Sequence, residues 1–226
     1  MEHPLDYPAW NALISGNKNL SLGNERVKYF HEEIGPFVGL SEQNDYEFEY
    51  LYQIIPPKRI MVIIIAKELE IPKPWAFIEH IDALQMVHTK DISPVHVTAE
   101  IIPLQLKDVP QMLNLTSLTH PGPFLQRTIE FGNYEGIFVN GELVSMAGER
   151  MHPGKYVEVS AVCTHPNHLG KGYAGQLIQS QVRKIKANSD IPFLHVRSDK
   201  ENAIRLYKSL GFEVRKQMNI YVFQKD

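Results

Sequence analysis

Apolar residues recur along this chain with two periods, and each change of period marks an element. "IMVIIIA" at 60–66 is an unbroken β-branched run and predicts a buried strand, since it is far too short to cross a bilayer. Phe48, Leu51, Tyr52 and Ile55 recur at helical spacing and predict a helix over 46–54. "ALQMV" at 83–87 predicts another strand. Prolines and turn residues interrupt these elements at "HPLDYP", "SGNKN", "IIPPKR" and "EIPKPW".

Near residue 95 the pattern becomes regular. "VTAEIIPL" predicts a strand with Ala99, Ile101 and Pro103 on one face. "KDVPQMLNLTSLT" predicts a helix with Val109, Met112, Leu113 and Leu115 on its apolar side, Asp108 as its cap and Pro110 in its first turn. "HPGP" breaks the chain, and "FLQRTIEFG" predicts a second helix ending at Gly132. "YEGIFVNGELVSMAGER" predicts a hairpin, because the type I′ turn that Asn140-Gly141 favours needs positive φ at both positions. A strand, a glycine loop and a helix follow over 157–185, then the strand "PFLHV", the helix "ENAIRLYKSLG" and the strand "NIYVFQ". This order predicts an α+β (mixed α/β) fold, a central mixed β-sheet flanked by helices. The change of pattern divides the chain into an N-terminal accessory region, 1–95, and a domain over 96–226.

Composition narrows the class. With 226 residues, 43% hydrophobic and 22% charged, the chain has ordinary soluble globular composition and is long enough to bury a core unaided. A net charge of −3 makes no electrostatic case for nucleic acid or an anionic membrane as partner. The single cysteine, Cys163, cannot form an internal disulfide and suits a reducing compartment. "MEHPLDYPAW" lacks the basic start and apolar core of a signal peptide, so the expected location is the cytoplasm. The ten histidines show no metal-ligand spacing, and no metal is expected.

The chemistry concentrates in "VEVSAVCTHPNHLGKGYAGQLIQSQ", 157–181. Alternation places Val157, Val159, Ala161 and Cys163 on one face of the strand and Glu158, Ser160, Val162 and Thr164 on the other. The helix carries an apolar stripe at Ala174, Leu177, Ile178, Val182 and Ile185. Between them, Gly170 and Gly172 bring backbone N–H groups close to a ligand at a helix N-terminus, with Lys171 adding a charge. In physical terms this is a pyrophosphate cradle; a strand-to-helix turn without a ligand is the competing reading. It is not a P-loop, because Lys171 falls between the glycines; Gly170, Gly172 and Gly175 have the spacing of a dinucleotide fingerprint, but no early βαβ unit surrounds them. Cys163 and His165 share a face, but no third group orients them as a nucleophilic pair.

"SAVCTHPNHLGKGYAGQLI" followed by "NAIRLYKSLGFE" resembles the GNAT superfamily of acyl-CoA-dependent N-acyltransferases, over about residues 97–226. The resemblance implies the GNAT fold, acetyl-CoA as cosubstrate, and direct transfer of an acetyl group to an amine in a ternary complex. Leu169, Gly170, Lys171, Gly172, Tyr173 and Ala174 stand at the family's pyrophosphate motif, and Ala203, Leu206, Tyr207, Gly211 and Phe212 at its last helix. Two residues depart from the pattern: Leu169 replaces the usual Arg or Gln, and Lys200 the usual Asn. By the same resemblance, backbone groups of Val162, Cys163 and Thr164 hold the pantetheine, Lys200 and Ala203 lie on the cofactor side, and the Tyr207 hydroxyl is the general acid.

Glu158 stands where some members carry their general base, and burial between strands is expected to raise its pKa. Glu149 is the runner-up. "HPLDYPAWNAL" and "LTHPGPFLQRT" resemble segments of a subgroup with an N-terminal region, and the domain order is similar to glycine N-acyltransferase-like proteins. This implies that the front region shapes the acceptor site. The mild overall acidity favours a cationic or neutral amine. A homodimer is compatible with the sequence. The competing classes are a non-catalytic CoA-binding or sensor module, and a nucleotide-binding protein.

Overall fold

The computed structural model describes residues 3–90 and 99–226. Its centre is an eight-stranded mixed sheet. The strands are β4 (Ile60–Ile65), β5 (Ala76–His88), β6 (Ile102–Pro103), β7 (Glu135–Val139), β8 (Glu142–Glu149), β9 (Tyr156–Thr164), β10 (Ile191–Arg197) and β11 (Phe212–Gln224). Their spatial order is β4-β11-β5-β10-β9-β8-β7-β6. All neighbours are antiparallel except β9 and β10. A small antiparallel sheet of β1 (Ser21–Gly23), β2 (Val27–Phe30) and β3 (Val38–Leu40) precedes it.

The helices are α1 (Pro8–Ile14), α2 (Asp45–Ile54), α3 (Val109–Thr119), α4 (Tyr173–Ala187) and α5 (Glu201–Ser209). One sheet face packs on α1 and α3 through Ala9, Leu13, Val109, Met112 and Leu115, against Ile64, Ala161, Phe193 and Met218. The stripe of α4 packs on the other, Ile178 and Val182 meeting Met86, Leu194 and Val196, with Ala203, Leu206 and Tyr207 of α5 beside them. Phe48 and Leu51 of α2 cover Met61, Ile63 and Phe223. No helix among the described residues is long and apolar enough to cross a membrane.

Where periodicity and local chemistry agree, the elements form as expected. Asn44 caps α2, its side chain accepting from the Glu47 N–H at 3.0 Å. The β7–β8 hairpin turns at Asn140 (φ 53°) and Gly141 (φ 82°). Three expectations change. Asp108 does not cap α3; its carboxylate accepts from the Gln105 N–H at 2.8 Å in the preceding 3-10 turn. "FLQRTIEFG" forms only a 3-10 turn over Thr128–Phe131, because Thr128 is tied to Ile34 O and the Leu125 N–H, each at 2.7 Å. The strand at 97–104 is reduced to Ile102–Pro103, with 97 and 98 outside the described residues.

Beyond "ALQMV", β5 runs over thirteen residues and lies between β10 and β11. Strands from both sides of residue 95 therefore share one sheet: β4 and β5 complete the hydrogen bonding of β10 and β11.

Candidate active site

β9 and β10 pair over three positions only, Tyr156–Glu158 against Ile191–Phe193. A β-bulge accompanies their parting. Ala161 has φ 52°, and the β8–β9 register slips between Met146↔Cys163 and Gly148↔Ser160. The extra residue breaks the period of two, so the predicted single face of Val157, Val159, Ala161 and Cys163 is corrected. Val157, Val159 and Val162 gather on Ile185 of α4, whereas Ala161 and Cys163 face the opposite core. Val162 thereby joins the wall of a cavity of about 380 Å³ with His195, Lys200, Ala203 and Tyr207.

Tyr207 packs edge-on to Phe212, and burial pushes its phenol up to about 12, so it carries its proton at neutral pH. Cys163 turns its side chain away from that cavity into the core, where burial pushes the thiol up to about 12; a protonated thiol is a poor nucleophile. Its carbonyl accepts from Ser145 Oγ at 2.9 Å, and Ser145 Oγ lies 2.7 Å from Thr164 Oγ1.

The glycine loop stands apart from this cavity, at the N-terminus of α4. Gly170 and Gly172 have φ 75° and 77°, a backbone closed to most side chains. A Cβ on Gly170 meets nothing within 4 Å, so the space above the loop is open. No side chain caps α4 at Gly172, which leaves its first-turn N–H groups for a ligand. Lys171 Nζ lies 3.3 Å from His168 Nδ1, and Leu169 is exposed. Tyr173 and Ala174 form the first turn of α4. Open space, free N–H groups and a lysine fit a pyrophosphate.

Glu158 is buried on β9, as expected, but within an ion pair. It is fully buried, and Arg150 grips it bidentately, Nε to Oε2 at 2.8 Å and Nη2 to Oε1 at 2.6 Å. His195 Nδ1 is 2.6 Å from Oε1. Burial alone pushes the carboxyl up, but Arg150, and then His195, outweigh it and hold it well below the usual carboxylate range. The expected rise in pKa is thus reversed. Glu149, also buried, accepts from Asn133 Nδ2 at 2.8 Å and is no part of the cavity wall.

Behind His195 the network continues toward the N-terminus. Gln85 donates through Nε2 to Leu5 O at 2.8 Å, and its Oε1 accepts from Arg215 Nη1 at 2.6 Å. These partners fix the amide, so Nε2 also donates to His195 Nε2 at 3.0 Å and the imidazole proton sits on Nδ1, facing Glu158. Arg215 Nη2 in turn donates to Asp6 Oδ1 at 2.6 Å. Arg150 itself stacks over Phe37 at 4.6 Å, and both line the cavity.

Sequence reasoning did not single out Arg150, His195 or Gln85. The available signal was a lone polar residue inside an apolar strand, as in "PFLHV" and "ALQMV". A second cavity, about 960 Å³, adjoins the first and shares Val62, Ile81, His120 and Val222 with it.

A parallel strand pair that parts at a bulge, beside a glycine loop opening a helix, belongs to the GNAT acyltransferase fold. A model of FR47-like proteins matches residues 134–222. A structure from Novosphingobium aromaticivorans, described as a GNAT-family acetyltransferase, is 30% identical with a TM-score of 0.92, covering 100% of each chain. A GCN5-related N-acetyltransferase-like protein from Streptococcus suis is 11% identical, with a TM-score of 0.58 over 90% of this chain and 82% of its own. A Drosophila protein is 15% identical, with a TM-score of 0.61 over 89% and 76%. These last two share the fold. No curated protein matches the chain. The chain belongs to the GNAT family of acetyltransferases.

Proposed function

We propose that this protein transfers an acetyl group from acetyl-CoA to an amine by direct attack in a ternary complex. The observation that carries the reading is the meeting of Val162, on the freed edge of β9, with the protonated Tyr207 in one cavity. In this reading the first turn of α4 and Gly170 to Gly172 hold the pyrophosphate, and the backbone of Val162 to Thr164 holds the pantetheine. Lys200 and Ala203 flank it at the start of α5. When bound, acetyl-CoA supplies the thioester carbon that the amine nitrogen attacks: the N–C bond forms, the C–S bond breaks, and the amine gives up a proton to solvent.

Tyr207 donates its phenolic proton to the leaving sulfur and regains one from solvent. Glu158 enters as a positioning residue, its two oxygens occupied by Arg150 and His195. The front region serves the acceptor side, as in the domain order of glycine N-acyltransferase-like proteins, because Phe37, Val62, Ile64 and Ile81 line the cavity.

Thiol release from acetyl-CoA across a panel of amines, alongside the rise in Tm on adding CoA, tests the reading. Amine-dependent release together with a CoA-induced rise supports it. A rise in Tm with no turnover on any amine would make the protein a CoA-binding module, and a rise with ATP but none with CoA a nucleotide-binding one.

A further inference from the structure

We propose that the acceptor is an amine with a carboxylate beside its nitrogen and an apolar body, and that Arg150 holds the carboxylate. This rests on the acetyl-transfer reading and names its substrate class. The overall charge of −3 points toward a cationic or neutral acceptor, but the cavity does not share that sign. Among the described residues its charged lining is Arg150, Arg197 and Lys200, with no Asp or Glu. Arg197 is engaged at the rim, 3.3 Å from Asp199 and 3.6 Å from Glu79. Lys200 is exposed, at the start of α5. Arg150 is the inner cation, its side chain 13% exposed.

Arg150 is also the group most tightly prepared. Glu158 takes its Nε and Nη2, and Phe37 lies under its plane. Its Nη1 has no hydrogen-bond partner among the described residues. Glu158 is fully buried and does not line the cavity, so the ion pair presents its cationic member to the acceptor. A planar guanidinium fixed in this way matches a carboxylate and repels a second cation. The adjoining 960 Å³ cavity has an apolar wall of Ile60, Leu113, Phe124 and Leu125, with Glu32, Lys58, Arg59 and Glu79 also lining it, and has room for an apolar body far larger than a hydrogen.

The test compares apolar amino acids with their carboxamides, with glycine and with spermidine. The readouts are initial thiol-release rates and the Tm of CoA-saturated protein. The free amino acids should exceed their amides by about 10-fold to 100-fold in kcat/KM, the worth of a charge-assisted hydrogen bond. Glycine should fall about tenfold or more below the best of them. Arg150→Lys keeps a charge for Glu158 but loses the fork, so the ratio of acid to amide should collapse toward one while the CoA-induced rise in Tm persists.

Equal use of amides, preference for spermidine, or no response to any apolar amino acid overturns the proposal. So does an Arg150→Lys loss of equal size for acid and amide. The wild-type ratio decides alone if that variant does not fold. A CoA-induced rise in Tm with the wrong acceptor preference sinks this proposal only; its absence sinks the acetyl-transfer reading as well.

Discussion

The two ends of the candidate site are built from different materials. The end proposed for the donor is backbone from one short stretch: Gly170 and Gly172 in left-handed conformations and the first turn of α4. The cavity end, where transfer is proposed, is side chains from distant parts of the chain: Phe37 before β3, Arg150 after β8, His195 on β10 and Tyr207 on α5. A backbone site should tolerate side-chain replacement and resist a change of φ. A side-chain network should do the opposite, since each member is satisfied only by the others.

The sharpest test of that contrast is Tyr207→Phe. It removes one oxygen from the cavity and should lower kcat by about 10² to 10⁴, with CoA binding unchanged. Full activity would remove the phenol from the mechanism. Glu158→Ala should be nearly as severe, but in stability: it strands Arg150 as an uncompensated buried charge, for about 3–5 kcal/mol by denaturant unfolding. An effect within the range of a surface substitution would refute the network's structural role.

The same carboxylate predicts the acid response. Its folded pKa is depressed below the ordinary value of 4.5, so its contribution is complete above 4.5 and is lost as the pH falls from there toward the folded value. Tm measured between pH 7 and pH 3 should fall at the acid end, and Glu158→Gln should flatten that fall. An acid limb in the pH–rate profile that survives Glu158→Gln would rule this carboxylate out as the base.

At the donor end, Gly172→Ala forces alanine to φ 77°, at about 1–2 kcal/mol. Relief through a shifted loop should raise the Kd for CoA about tenfold and leave kcat unaltered. Leu169→Arg should have the smallest effect, tightening CoA about two- to fivefold through an exposed phosphate contact that weakens with salt. If Leu169→Arg matters more than Gly172→Ala, the donor end is not a backbone site.

The chain yields its elements unevenly. β4, α2 and the β7–β8 hairpin were legible because their signals are local: a β-branched run, apolar residues at helical spacing, an Asn-Gly turn. The outer half of β5 was not, because Phe77, Ile78, Glu79 and His80 are exposed and show no apolar alternation. The faces of β9 were misassigned because a single residue, Ala161, shifts the period from within a stretch that reads as regular. The bulk charge carried no information on the cavity, because a sum over 226 residues says nothing about which charges line one site.

By itself the sequence determined the α+β class, the strand-loop-helix unit with its glycines, and the tyrosine on the last helix. Those features are written in spacing along a few residues, and backbone geometry enforces them wherever they occur. Only the tertiary structure decided that β5 lies between β10 and β11, that Glu158 is clamped by Arg150 and His195, and that the cavity beside Tyr207 is lined by cations. The reason is that a side chain's ionisation and reach depend on neighbours far away in sequence: Phe37, Arg150 and His195 come together only when the sheet assembles.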